Sequence, residues 1–204
     1  MAQTVSPVSS PLLSILVPTV PNRVSNCFQI MIKGLERQSS IYPNGDVELI
    51  GLYDNKVMRL GAKRNKLLNL ASGKYVVFVD DDDKVADNYI LEIMRVIRSQ
   101  RNPDVIHFPI ISTIHGKNPK HCEYGLNLEY TDDGENWTGK PAHTHVWRRE
   151  IATMAIFPPD LQFEEDIRWV EQVCRYAKTE HRIDSVLYYY NVDVRTETRP
   201  VVYV

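Results

Sequence analysis

Cysteine is scarce in this 204-residue chain: three residues, Cys27, Cys122 and Cys174, widely spaced and with no CxxC pair. So sparse and odd a set argues against a disulfide framework and fits a reducing compartment. Also missing is any apolar run approaching the ~20 residues that span a bilayer as a helix. The opening MAQTVSPVSSPLLSILVPTV has a short apolar stretch broken by Pro11 and Pro18 and no positively charged start, so it does not read as a leader. We expect a soluble, cytoplasmic protein with no integral membrane segment, whose residues 1–10 form a flexible arm. Neither sign of charge dominates. With 24 Lys and Arg against 26 Asp and Glu, the net charge of −2 offers no general basic field for nucleic acid. Internal repeats and low-complexity segments are absent too, and the length suits a single domain with a real core.

What is present is an alternation. LLSILV (12–17) is a continuous apolar run that reads as a buried strand stopped by Pro18. Cys27, Ile30, Met31 and Leu35 then recur at helical spacing within 24–37. VELIGLY (47–53) is a second strand, ending at Asp54-Asn55. A helix over about 62–71 is closed by Gly73. YVVFV (75–79) is a third strand, and Asp87 is positioned to cap a helix reaching Ser99. Three strand–helix alternations in a hundred residues predict an α/β fold with a mostly parallel central sheet flanked by helices. Ligands of such sheets bind beyond the carboxyl ends of the strands. Pro18-Thr19, Asp54-Asn55 and Asp80 to Asp83 all follow predicted strands, so three polar clusters should meet on one rim.

The second half is less regular. VIHFPIIST (105–113) reads as a strand, 115–140 as a polar excursion, HTHVW (143–147) as a short strand, FEEDIRWVEQVCRYAK as a helix, and SVLYYY (185–190) as a last strand. The Tyr188-Tyr189-Tyr190 run suits sheet packing. This half predicts a small additional β region.

Four consecutive aspartates, Asp80 to Asp83, stand at the mouth of the third strand. Two unit charges 4 Å apart repel by about 4 kcal/mol at an effective dielectric of 20. If the chain stays extended, Asp80 and Asp82 share a face, a spacing that suits Mg²⁺ or Mn²⁺. The same run would also serve as a solvated acidic turn with Asp83 or Asp87 capping the next helix.

Several motifs, in order, give the chain a family likeness. Pro18-Thr19 with Arg23, a strand ending in Asp54, the Arg64-Asn65 pair on a helix, Gly73, and then Asp80 to Asp83 after an apolar strand together resemble the family 2 glycosyltransferases of the GT-A fold. The likeness is closest over 12–100. FEEDIRWV is similar to the acidic pair that opens a late helix of that family. Without the upstream match, Glu164, Glu165 and Asp166 would simply complement a helix N-terminus.

The resemblance implies a metal-dependent, inverting transfer of a sugar from a nucleotide diphosphate donor, a UDP-sugar favoured, to a hydroxyl of a saccharide or glycan acceptor. It implies one GT-A domain over 11–204, with 11–100 holding the nucleotide-sugar and 101–204 the acceptor. Pro18, Thr19, Arg23, Asp54, Asn55, Lys63, Arg64, Asn65, Asp80 and Asp81 would line the nucleotide-sugar site. Asp82, Asp80 and His145 would hold Mn²⁺ or Mg²⁺, with His143 an alternative to His145, and both histidines also read as packed side chains. Asp166 would be the catalytic base, with Glu165 in reserve. Two rivals remain: a metal-dependent carbohydrate- or nucleotide-sugar-binding module without catalysis, and another α/β phosphate-handling hydrolase. The excursion 115–140 and the RTETRP tail are expected to carry acceptor selectivity.

Overall fold

The computed structural model describes residues 10–42 and 45–192. The expected arm at 1–10 falls almost wholly, and the RTETRP tail wholly, outside the described residues. The first sheet begins with β1 (Leu13–Thr19), β2 (Val47–Tyr53) and β3 (Tyr75–Phe78), all parallel, with β1 in the middle. Alternate side chains of a strand face opposite ways, and here both faces are apolar. Leu13, Ile15, Val17, Tyr75, Val77 and Val79 pack on one side; Leu16, Val76 and Phe78 pack on the other. Helices α1 (Gln29–Ser39) and α3 (Tyr89–Arg98) cover the first face. The opposite face is covered by α2 (Leu60–Leu70), the short α4 (Arg149–Ala152) and α5 (Glu165–Val173). Among the described residues no helix is long and apolar enough to cross a membrane, and all three cysteines are free.

Parallel pairing does not extend across the whole sheet. Between β5 (Val105–His107) and β3 lies β10 (Val146–Arg148), antiparallel to both, while β11 (Glu180–Arg182) runs parallel to β5 at the edge. The sheet is therefore mixed, in the order β11-β5-β10-β3-β1-β2. The additional β region is also larger than its sequence suggests. It joins β4 (Lys84–Val85), β6 (Ile110–Ile114), β7 (Lys117–Tyr124), β8 (Thr131–Asp132), β9 (Asn136–Gly139) and β12 (Tyr188–Val192) into a second six-stranded sheet.

Local chemistry explains where sequence and structure part. Pro18 does not stop β1: it pairs with Leu52 of β2, beyond the last β1–β3 pair at Leu16, so its missing N–H breaks no ladder on the β3 side. The stretch 105–113 is two strands, because at Phe108-Pro109 the chain leaves the first sheet and β6 begins the second. The excursion 115–140 carries three strands, β7 to β9, with irregular chain over 125–130. Its apolar positions are few, but Lys120, Cys122 and Tyr124 alternate onto one face, toward the cleft described below. Asp87 does not cap α3; it forms an exposed pair with Arg37, and Asn88 occupies the cap position without a side-chain bond to the helix backbone. Nor does α1 begin at Val24: a 3-10 turn (Pro21–Arg23) and a wide π turn (Val24–Phe28) precede it, and Ile30 is exposed.

Candidate active site

Between the two sheets lies a cleft of about 500 Å³. Its polar end is built from the tip of β1, the loop after β3, and the first turn of α5. Its other end is the face of the second sheet, with Ile110, Cys122, Tyr124, Trp137 and Tyr190.

The aspartate run is not extended. The Asp83 N–H bonds to the Asp80 carbonyl at 3.2 Å, closing a turn, and each carboxylate goes its own way. Asp80 receives both Arg64 Nη2 contacts, at 3.0 and 3.3 Å, and lies 3.3 Å from His143 Nε2. Asp81 accepts the Thr19 hydroxyl at 2.5 Å and Arg23 Nη1 at 3.1 Å. Asp82 is 2.9 Å from Arg23 Nη2. Asp83 accepts the Tyr188 hydroxyl at 2.6 Å and the Asn191 N–H at 3.2 Å. The expected shared face of Asp80 and Asp82 is thus replaced by a fan of four carboxylates.

Electrostatics separate the four. Burial works against the Asp80 charge, but Arg64 and His143 outweigh it and hold the carboxyl below its ordinary range. Burial drives Asp82 up to about 6, with Asp80 and Asp81 adding to the rise and Arg23 opposing it. Asp83 is pushed well up by burial and by Asp80. By formal count four carboxylates face two arginines, Arg23 and Arg64, and Arg64 is shared with Glu165. Among the described residues no group of three or more His, Cys, Asp or Glu side chains is arranged to hold a metal ion. By donor chemistry, Asp82, one-fifth exposed in the cleft and paired with Arg23, and Asp80, paired with Arg64, would offer the carboxylate oxygens that a hard cation takes.

His145 does not belong to this site, which corrects the expectation that it holds metal. Residues 142–145 turn rather than extend, the His145 N–H reaching the Ala142 carbonyl at 3.1 Å, so the two histidines do not share a face. His145 is fully buried. Its Nδ1 accepts the Ala142 N–H at 2.8 Å and its Nε2 lies 3.1 Å from the Phe108 carbonyl, leaving no ring nitrogen for a metal. His143 lines the cleft instead, between Asp80 and Asp166.

The expected nucleotide-sugar residues divide in the same way. Pro18, Thr19, Arg23, Lys63, Arg64, Asp80 and Asp81 line the cleft; Asp54, Asn55 and Asn65 do not. Lys63 is buried, pairs with Asp54 and donates to the Thr19 carbonyl at 2.7 Å, so the three polar clusters do meet on one rim. Asn55 is exposed beyond it and bonds the Tyr53 hydroxyl at 2.9 Å. Asn65 is a tie: its Nδ2 donates to the Phe157 carbonyl at 2.7 Å and its Oδ1 accepts the Phe157 N–H at 3.0 Å. Phe157 in turn stacks on Trp169 of α5, ring centroids 4.8 Å apart.

That anchor brings the late acidic pair to the cleft. Glu164, at φ 62°, takes a left-handed turn into α5, a conformation uncommon for a residue with a Cβ. Glu165 is buried and accepts Arg64 Nη1 at 2.6 Å; Asp166 is about one-third exposed. Two contributors carry no sequence signal. Gly61 lets α2 press against the loop before α5, since a Cβ there would meet the Pro158 carbonyl oxygen at 1.9 Å. Tyr188, assigned above to sheet packing, also holds the acidic turn through its hydroxyl.

The model of the family described as glycosyl transferase family 2 matches residues 40–152, more than half of the chain. No curated protein matches the sequence. Among solved structures, S. aureus TarS 1–349 in complex with UDP-GlcNAc superposes with a TM-score of 0.65 at 18% identity, covering 94% of this chain and 61% of that one. A second TarS structure gives 0.61 at 17% identity, covering 88% and 36%. A197 from STIV gives 0.52 at 15% identity, covering 89% and 86%. The chain therefore spans less than two thirds of the TarS chains it resembles, and at these identities the likeness is one of fold.

Proposed function

Because this chain belongs to glycosyl transferase family 2, we propose that it transfers a sugar from a nucleoside diphosphate donor, a UDP-sugar favoured, to a saccharide hydroxyl with inversion. The observation that carries the reading is that the aspartate turn after β3 and the acidic start of α5 open into one cleft. The UDP-GlcNAc bound by TarS 1–349, a protein of the same fold, supports the choice of donor.

Thr19 and Asp81 would line the ribose side, with Arg23 reaching toward the diphosphate. Lys63 and Arg64, both committed to carboxylates, would add a fixed positive field from buried positions. Asp54 would shape this end by fixing Lys63. A divalent cation, Mn²⁺ or Mg²⁺, would be held by Asp82 with Asp80 and would supply charge neutralisation of the departing diphosphate. Asp166, the more exposed of the acidic pair, would take the proton of the acceptor hydroxyl. That oxygen forms the new bond to the anomeric carbon while the bond to the diphosphate breaks and its electron pair leaves with the nucleotide. Glu165, buried against Arg64, suits support better than proton transfer. Residues 101–192 supply the acceptor wall. There Trp137 lies across Gly139, whose missing Cβ would fall 2.3 Å from the indole, and the Tyr124 ring is 4.9 Å away.

Calorimetric titration of UDP and GDP, each with and without Mn²⁺, tests the reading. Metal-dependent binding of UDP is expected. If neither nucleotide binds a demonstrably folded protein, the donor site is refuted; binding with no release of UDP from sugar donors would favour a binding module.

A further inference from the structure

An acceptor hydroxyl within reach of Asp166 lies at the polar end of the cleft, whereas the other end is one face of the second sheet. Strand pairing fixes which side chains share that face. Ile110 stands opposite Cys122, Cys122 opposite Trp137, and Trp137 opposite Asp132 of the edge strand β8. Directly opposed residues of neighbouring strands point to the same side, so the face runs unbroken from β6 in the cleft to β8 at its rim. With strands about 4.8 Å apart, these four span about 14 Å, wider than one sugar ring. Trp137 is the fixed point of the face. Its indole lies over Gly139, the Tyr124 ring is 4.9 Å away, and Tyr130 meets it edge-on from the rim at 5.6 Å. Braced on three sides, the indole still lines the cleft. Tyr130 is 69% exposed, but the chain on either side of it is pinned: the Thr138 hydroxyl donates to the Glu129 carbonyl at 2.7 Å and lies 2.8 Å from the Thr131 hydroxyl.

We propose that the acceptor is a neutral, linear oligosaccharide, with its terminal sugar presented to Asp166, the sugar behind it stacked on Trp137, and a third, in longer chains, reaching Tyr130. The role of Asp166 in this assignment rests on the transferase reading above. Charge argues for a neutral chain. Lys120, the cation of this wall, is taken by Asp132, with contacts of 2.7 and 2.9 Å. An anionic glycan would find no free cation there among the described residues, and the acidic turn that shares the cleft would repel it. What the face offers is flat aromatic area bordered by hydrogen-bonding groups, Ser112 and Asn191 among them. That combination matches a pyranose, which presents an apolar C–H face and a rim of hydroxyls.

Intrinsic fluorescence of the full chain tests it. Of the three tryptophans, Trp147 and Trp169 are each 1% exposed, so a response to added sugar reports Trp137. The titrants are glucose, GlcNAc, their β1,4-linked dimers and trimers, maltose and maltotriose, each with and without UDP and Mn²⁺. In at least one series the dimer should bind on the order of 10-fold more tightly than the monomer. Tyr130→Ala, a change at an exposed position, should weaken the trimer about 3- to 10-fold and leave monomer and UDP affinity unchanged. Equal affinity for monomer and dimer in every series overturns the stacked sugar, and an indifferent Tyr130→Ala overturns its extension to the rim. A folded protein that binds no sugar of the panel overturns the saccharide assignment in favour of a lipid or peptide acceptor. If UDP does not bind, the transferase reading fails separately, because the titrations without nucleotide still decide whether the face takes sugars.

Discussion

The Tyr188 hydroxyl donates to Asp83 Oδ2 at 2.6 Å, and the Tyr188 hydroxyl oxygen accepts the Asp80 N–H at 3.1 Å. One phenol from the last described strand therefore closes the acidic turn from beneath. It accounts for how Asp83, buried and pushed well above the ordinary carboxylate range, persists without a cation of its own. Tyr188→Phe keeps the ring and removes both bonds. It should cost about 1–3 kcal/mol of stability, the penalty of leaving buried polar groups unpaired, read from urea denaturation. UDP affinity should fall with it, because the turn that carries Asp80 to Asp82 loses its floor.

The acidic pair on α5 should separate by readout. Asp166→Asn should lower sugar transfer by about 10²- to 10⁴-fold, the range of a general base, while calorimetry finds UDP binding retained. Glu165→Ala instead strips Arg64 of a buried partner and should cost about 3 kcal/mol of folding stability. If Glu165→Gln abolished turnover at full stability and Asp166→Asn did not, the two roles would have to be exchanged.

His145 gives a pH dependence whose direction follows from its burial. The buried ring is pushed down to about 3 from the ordinary 6.5. Between those values the unfolded chain binds the proton that the folded chain refuses, so stability is full above pH 6.5 and falls as pH descends toward 3. Denaturation midpoints measured from pH 7.5 to 4 should decline for the wild type. His145→Gln, which does not titrate, should give a shallower decline, and an unchanged slope would locate the acid sensitivity elsewhere.

Trp137 should matter to the acceptor alone. Trp137→Ala is expected to raise acceptor KM about 2- to 10-fold, the equivalent of ~0.5–1.5 kcal/mol for an aromatic contact, with UDP binding unchanged. A matching loss of UDP affinity would instead assign the second sheet to the donor.

The order of elements over 12–100 was legible because its signals are local. β2 spans 47–53 as its apolar run does, and β3 ends at Phe78, one residue short of the expected Val79. The Arg64-Asn65 pair was legible as a motif but not as chemistry. Only in the fold does Arg64 meet Glu165, 101 residues away, while Asn65 ties down Phe157, 92 residues away. The excursion 115–140 was misread because its inner face rests on only a few side chains, Cys122, Tyr124 and Trp137, set among polar neighbours, which leaves little apolar alternation to detect.

By itself, then, the sequence determined that strands and helices alternate, that negative charge gathers at the end of the third strand, and that a second acidic pair opens a late helix. Each of these follows from side-chain periodicity and composition within a few residues. The tertiary structure alone decided which carboxylate answers to which partner: Asp80 to Arg64 and His143, Asp81 to Thr19 and Arg23, Asp83 to Tyr188. It also decided that His143 faces the cleft and His145 the core. Those choices depend on contacts between residues 16 to 105 positions apart. They exist only once the two sheets have closed, because desolvation then makes each buried charge and polar atom find a specific partner.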